Sequence, residues 1–222
     1  MILTPFLLQS YPLLNVLTEE ELNRIIPLIR VERVSEDVCL YFEGETSDKL
    51  YFVMEGWIKA EKTSMDGRQA TLRFMGQGEL INELSIFSNA VNAVTVIVVE
   101  NAKVFYLTQR DIEQCLNNYP CFSRAAIERL AFRIQYLLDQ IEDLSLHTVE
   151  ERLARFLLAQ SEEDVWERET WITQTEIATR LGTVLDVVNR NLQKFVRDGL
   201  IEIQRNKILI INRARLEKIA QG

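Results

Sequence analysis

Between Ser123 and Leu146, isoleucine recurs every seven residues at Ile127, Ile134 and Ile141, and leucine three places later at Leu130, Leu137 and Leu144. A chain with this pattern has few options. β-Branched residues at a and leucine at d fill the holes of a parallel two-stranded seam, so the pattern predicts a long helix that pairs with a second copy of itself. Arg129, Arg133, Asp139, Glu142 and Asp143 lie off the seam. The other reading is one long helix in the core of a monomer. Three successive heptads favour the dimer.

At 222 residues the chain can hold one large or two small domains. Its 47% hydrophobic and 26% charged residues are ordinary for a soluble globular protein. The opening MILTPFLLQSYPLLNVLTEEEL lacks a basic n-region and a small-residue cleavage site, so a signal peptide is not expected. No apolar run is long enough for a membrane span. Cys39, Cys115 and Cys121 form no CxxC pair, which reads as reduced thiols in a cytoplasmic protein; a Cys115–Cys121 redox switch is the other option. The net charge of −8 is uneven. Residues 1–147 carry 13 Lys and Arg against 21 Asp and Glu, whereas residues 171–222 carry 9 against 5. The last fifty residues are therefore the part suited to a nucleic acid.

Residues 1–30 read as short helical material, with Thr18 and Glu21 forming a capping box. From Val31 the period changes to two. Val38–Phe42, Lys49–Met54, Trp57–Thr63, Gln69–Phe74, Ala93–Val99 and Lys103–Leu107 read as short strands, punctuated by glycines, with Asp66-Gly67 as a hairpin turn. That spacing predicts an antiparallel sandwich or jelly roll. Thr108 caps a short helix to Leu116, and Pro120 opens the heptad helix. Ser145–Val149 reads as a hinge. Thr148, with Glu151, caps the helix that follows. Ser161–Thr170 reads as a polar, acidic loop.

Thr173 then caps a short helix, and Gly182 supplies the left-handed residue that a helix-turn-helix needs. A second helix runs from about Val184 to Asp198, with Val188, Leu192 and Phe195 as its buried stripe. Asp186, Asn189, Arg190 and Gln193 share another face. Leu200–Gln204 and Lys207–Ile211 form a hairpin wing around Arg205-Asn206. This is the pattern of a winged helix-turn-helix. Arg190 suits guanine, Asn189 adenine and Asp186 cytosine N4, while Gln174, Thr175, Lys194, Arg205 and Lys207 suit phosphates. Joined to a dimer seam, the module predicts palindromic double-stranded DNA with half-sites about one turn apart. The alternative is a winged helix used for protein contacts, with Asp186 and Arg190 joined only in an i,i+4 ion pair.

Phe42-Glu43-Gly44-Glu45, Leu50 through Gly56 (LYFVMEG) and Gly78 through Phe87 (GELINELSIF), followed by the seam helix and the helix-turn-helix, resemble the cyclic-AMP receptor / fumarate–nitrate regulator (CRP/FNR) family. The resemblance covers nearly the whole chain. It implies an α+β fold: an N-terminal β-roll (a double-stranded jelly roll like a cyclic-nucleotide-binding domain) over 1–119, a dimerisation helix over 120–146, and a winged helix-turn-helix over 147–222. It also implies a homodimeric transcription regulator, RNA polymerase as a partner through the Ser161–Thr170 region, and an effector site between β-roll and dimer helix. Its residues here are Asn82, Glu83, Leu84, Ala93, Val94, Leu137 and Leu138.

The resemblance breaks where a cyclic nucleotide would bind. The family's ribose-binding Glu is present as Glu83, but the Gly before it is Asn82, and the Arg-Ser pair that holds the phosphate falls on Ala93 and Val94. A buried phosphate needs a compensating cation, and Asn89–Thr95 offers none. The polar residues that touch adenine fall on Leu137 and Leu138. Glu83 then reads as a structural carboxylate bonded to backbone amides, and the effector as an apolar or weakly polar small molecule. A constitutively DNA-competent or thiol-responsive regulator is the alternative. No cysteine precedes Cys39, so an iron–sulfur cluster is not expected, and the single histidine, His147, lies at the hinge rather than in the β-roll. Neither a catalytic nor a metal-ligand constellation is present. At the reading head, Leu185, Asp186, Asn189 and Arg190 stand where the family often has an Arg-Glu pair and a Ser/Gly-Arg core; Leu185 is suited to a thymine methyl.

Overall fold

The computed structural model describes residues 3–67, 69–167 and 172–221. The chain forms two compact units, Met1–Ile134 and Gln135–Gly222.

The first unit opens with α1 (Pro5–Leu8) and α2 (Glu19–Ile25), the latter held by the full Thr18–Glu21 capping box. Six strands follow: β1 (Arg30–Val34), β2 (Cys39–Tyr41), β3 (Lys49–Thr63), β4 (Gln69–Met75), β5 (Leu80–Ile81) and β6 (Thr95–Thr108), with α3 (Glu83–Ser88) between the last two. The sheet order is β1-β6-β3-β4, with β2 also on β6 and β5 on β3, and every pairing is antiparallel. Both faces of β3 are buried. Leu50, Phe52 and Met54 pack under the N-terminal helices, where Phe52 stacks on Phe105 at 4.6 Å and Tyr11 sits edge-on to both. Tyr51, Val53 and Ile58 face the opposite core with Tyr41, Val96 and Val98. A strand covered on both sides reads as an unbroken apolar run, which is what LYFVM is.

Two helices close the unit. In α4 (Gln109–Asn118), Thr108 and Asp111 cap each other, and α5 (Pro120–Leu146) continues into the second unit. Of its 27 residues only Phe122 and Ala126 are buried. Ile127 is 69% exposed, Ile134 60%, Ile141 59%, Leu144 53% and Leu137 46%, with Leu130 half-buried. This stripe is not the core of a single chain.

The second unit contains α6 (Val149–Gln160), β7 (Val165–Glu167), α7 (Gln174–Arg180), α8 (Leu185–Arg197), β8 (Ile201–Ile203), β9 (Lys207–Ile210) and α9 (Arg213–Gln221). The strands form an antiparallel sheet in the order β7-β9-β8. Leu153, Leu157, Ile177, Val188, Leu192, Phe195 and Leu216 fill the core, and Phe156 meets Trp166 edge-on at 5.1 Å. Among the described residues no helix is long and apolar enough to cross a membrane.

The strand expectations need correcting. Lys49–Met54 and Trp57–Thr63 are one strand, as are Ala93–Val99 and Lys103–Leu107 from Thr95 onward. Gly56 does not turn the chain. It forms a bulge at φ +82, where a Cβ would stand 2.4 Å from the Asn101 carbonyl oxygen, so only glycine fits. β1 and α9 lie outside the expected elements, and Val165–Glu167 is a strand inside the expected acidic loop. The hinge is shorter than expected, because α5 runs to Leu146 and α6 begins at Val149.

Candidate nucleic-acid interface and sensor site

The reading head is built from its caps outward. The Thr173 hydroxyl accepts the Glu176 N–H at 3.2 Å and starts α7. Gly182 turns the chain at φ +61, and the Thr183 N–H closes on the Ala178 carbonyl at 2.9 Å. That turn sets α8, whose buried stripe is Val188, Leu192 and Phe195. The opposite face presents Leu185, Asp186, Arg190 and Gln193 in the open, with Asn189 half-exposed. Among the described residues Asp186 and Arg190 form no ion pair, although they lie i,i+4. A side chain with no internal partner keeps its donors for something outside. β8 and β9 make the wing, closed by the Gln204 N–H on the Lys207 carbonyl at 2.8 Å, with Arg205 exposed at its tip and Lys207 half-exposed. Gln174 and Thr175 open α7, half-exposed and exposed. Lys194 differs from the other cations: its Nζ donates to both carboxylate oxygens of Glu150, each at 2.7 Å.

The sensor residues start from Asn82, which holds φ +79 just before α3. Asparagine is among the few non-glycine residues at ease there. Its side-chain amide donates to the Lys49 carbonyl at 3.1 Å, which anchors the turn. Glu83, 8% exposed, is partnered by a guanidinium rather than by the expected backbone amides. Arg73 of β4 donates to Glu83 at 3.3 Å and to Glu79 at 2.5 Å, and Glu79 also accepts the Gly76 N–H at 2.8 Å. Burial works against the charge on Arg73, and the two carboxylates more than offset it, so its pKa is raised. Arg129 lies within electrostatic reach of the same group; burial lowers its pKa, Glu83 partly restores it and Arg73 opposes it. Ala93 and Val94 are half-buried before β6, and Leu84 is exposed. Leu137 and Leu138 stand exposed on α5.

The sequence alone does not assign Arg73, Glu79 or Arg129 to this cluster. Arg73 interrupts the apolar alternation of Leu72-Arg73-Phe74-Met75, and a cation on a strand between apolar residues signals a partner inside. The histidine at the hinge bonds Glu151 at 3.3 Å. Among the described residues no group of three or more His, Cys, Asp or Glu is placed to hold a metal ion.

Two family models match this chain in succession: a cyclic nucleotide-binding domain over residues 31–119 and a Crp-like helix-turn-helix domain over residues 151–219. The chain belongs to the CRP/FNR family. Members are transcription regulators rather than enzymes, and the Crp-like domain makes this chain a DNA-binding regulator. The cyclic AMP receptor protein of Thermus thermophilus is 23% identical over 97% of this chain and 99% of its own. A CRP-like cAMP-activated global transcriptional regulator of Mycobacterium tuberculosis is 28% identical over 82% and 84%. The structure of FixK2 from Bradyrhizobium japonicum superposes with a TM-score of 0.75 at 20% identity, covering 86% of this chain and 96% of the other. The CRP/FNR fold is thus present across both units.

Proposed function

We propose that this protein is a homodimeric, sequence-specific transcription regulator of the cytoplasm, reading a palindromic duplex with one α8 per protomer and answering to an effector other than a cyclic nucleotide. The row Asp186, Asn189, Arg190 and Gln193 carries the reading: it is accessible and, among the described residues, without an internal partner. Arg190 reads guanine, Asn189 adenine and Asp186 cytosine, with Leu185 against a thymine methyl. Gln174, Thr175, Arg205 and Lys207 hold the backbone. Residues 1–119 sense, 120–146 dimerise and 147–222 read. The exposed Ile127–Leu144 stripe supports pairing of two α5 helices, because an isoleucine and leucine seam left in water is costly. RNA polymerase is the partner by family analogy, met by the Ser161–Thr170 segment, of which residues 168–170 lie outside the described residues.

The names of two relatives refer to cyclic AMP. In this chain the side chains of Ala93 and Val94 offer a phosphate no charge, and of the two guanidinium groups near Glu83, Arg73 is already paired with Glu79 and Glu83, while Arg129 stands outside the segment that holds the phosphate in the family. The effector we propose is a small molecule of another class, met within the first unit by Asn82, Glu83, Leu84, Ala93 and Val94.

A footprint on genomic fragments at low salt tests the DNA reading. Protection of a two-fold-symmetric site is expected, and its absence would favour a scaffold role for the winged helix. Calorimetry with cyclic AMP tests the effector claim; tight saturable heat would overturn it.

A further inference from the structure

Lys194 sits on α8 among residues that face a duplex under the reading above, yet it is spoken for. Glu150, the second residue of α6, takes its ammonium with both carboxylate oxygens at 2.7 Å. Their side chains are 46% and 28% exposed, so the pair lies at the surface. Among the described residues Arg190, Arg205 and Lys207 have no such partner. We infer that Glu150 is an affinity-limiting residue: it silences Lys194 as a phosphate contact and so lowers sequence-independent binding without touching the base-reading face. The inference rests on the DNA-binding reading.

The physical argument is one of exchange. Phosphate contacts by lysine release counter-ions and supply most non-specific affinity. Exposed ion pairs are weak and yield to a stronger competitor. Here, however, moving Lys194 to a phosphate would leave the Glu150 carboxylate bare beside the same duplex. The gain at one group is cancelled at the other. Glu150 has a second reason to stay, since it is an anion in the first turn of α6, where the helix dipole favours it. Arg190 is independent of this pair, so silencing Lys194 lowers affinity for operator and mixed-sequence DNA together and leaves base discrimination to the α8 face.

Anisotropy titrations of the full-length protein on a fluorescent mixed-sequence 30-bp duplex test this, using wild type, Glu150→Gln, Lys194→Gln and the double variant over a salt series. Glu150→Gln should steepen the slope of log K against log salt by about 0.9, one added phosphate contact, so that raising salt from 50 to 200 mM costs it roughly threefold more than wild type. Lys194→Gln and the double variant should keep the wild-type slope. An unchanged slope in Glu150→Gln overturns the inference. So does a slope shallower by one contact in Lys194→Gln, because the lysine would then already be at work. An equal gain from removing Glu150 with and without Lys194 also overturns it, since plain repulsion needs no lysine. If wild type binds no duplex even at low salt, the DNA-binding reading itself fails.

Discussion

A methyl of Leu144, Cδ2, lies 2.8 Å from the point that a Cβ on Gly182 would occupy. Leu144 is the last d residue of the heptad pattern, and Gly182 is the turn of the helix-turn-helix. Gly182 also holds φ +61, which L side chains rarely adopt. Gly182→Ala should destabilise the protein by about 1–2 kcal/mol, mostly through the backbone, because a leucine methyl can move aside. Denaturant unfolding of Gly182→Ala, Leu144→Ala and the double variant separates the two causes; a penalty that vanishes with Leu144 would make contact the whole effect.

Arg190→Ala should weaken binding to the footprinted site by about 1–3 kcal/mol and relax preference at one base step, while mixed-sequence DNA is bound with less loss. Competition titrations with single-base operator variants measure this. Full discrimination in the variant would place base reading elsewhere.

Ile134 occupies the central a position and is 60% exposed in the single chain. Ile134→Asp puts a charge into the proposed seam and should shift the protein to monomer at micromolar concentration, with operator affinity falling alongside. Sedimentation velocity reads the first outcome. A wild-type protein that sediments as a monomer would reject the seam.

Arg73→Ala removes the guanidinium from between Glu79 and Glu83. Glu83 is 8% exposed and would be left buried and unpaired, so a loss of about 3 kcal/mol in stability is expected. Arg73→Lys should recover only part of it, because an ammonium does not present a planar fork to two carboxylates. Thermal unfolding of both variants gives the comparison. A wild-type melting curve for Arg73→Ala would mean that the cluster holds nothing together.

The thiols should divide by position. Cys115 is buried, and burial, aided by Asp111, pushes its thiol up to about 11. Only about one molecule in a thousand is then thiolate at pH 8, with a tenfold rise per pH unit until that value is reached. Cys121 is exposed at the start of α5. Iodoacetamide on the native protein at pH 8 should label Cys121 and leave Cys115 until denaturant is added. Rapid labelling of Cys115 would favour a thiol switch.

The elements whose signal is local were legible in the sequence. Thr18, Thr108, Thr148 and Thr173 each cap the helix expected of them, because a cap needs only neighbours within three residues. Gly182 and the α8 stripe follow from the same short-range logic. What stayed hidden depends on distant partners. The bulge at Gly56 is set by Asn101, forty-five residues away, so glycine looked like a turn. Arg73 finds Glu83 across ten residues and a strand, well outside the Asn89–Thr95 segment. Lys194 looked like a phosphate contact because Glu150 lies on a different helix.

The edge position of β1 has a consequence of its own. It stands at one end of the sheet order and, among the described residues, pairs only with β6, which makes it an edge strand. Its sequence is Arg-Val-Glu-Arg-Val, and the charges that masked its alternation are the kind that natural edges use against further strand addition. If two copies pair along α5 as proposed, the charges on β1 discourage a second mode of association through the sheet edge, which would favour a closed pair over open-ended aggregation.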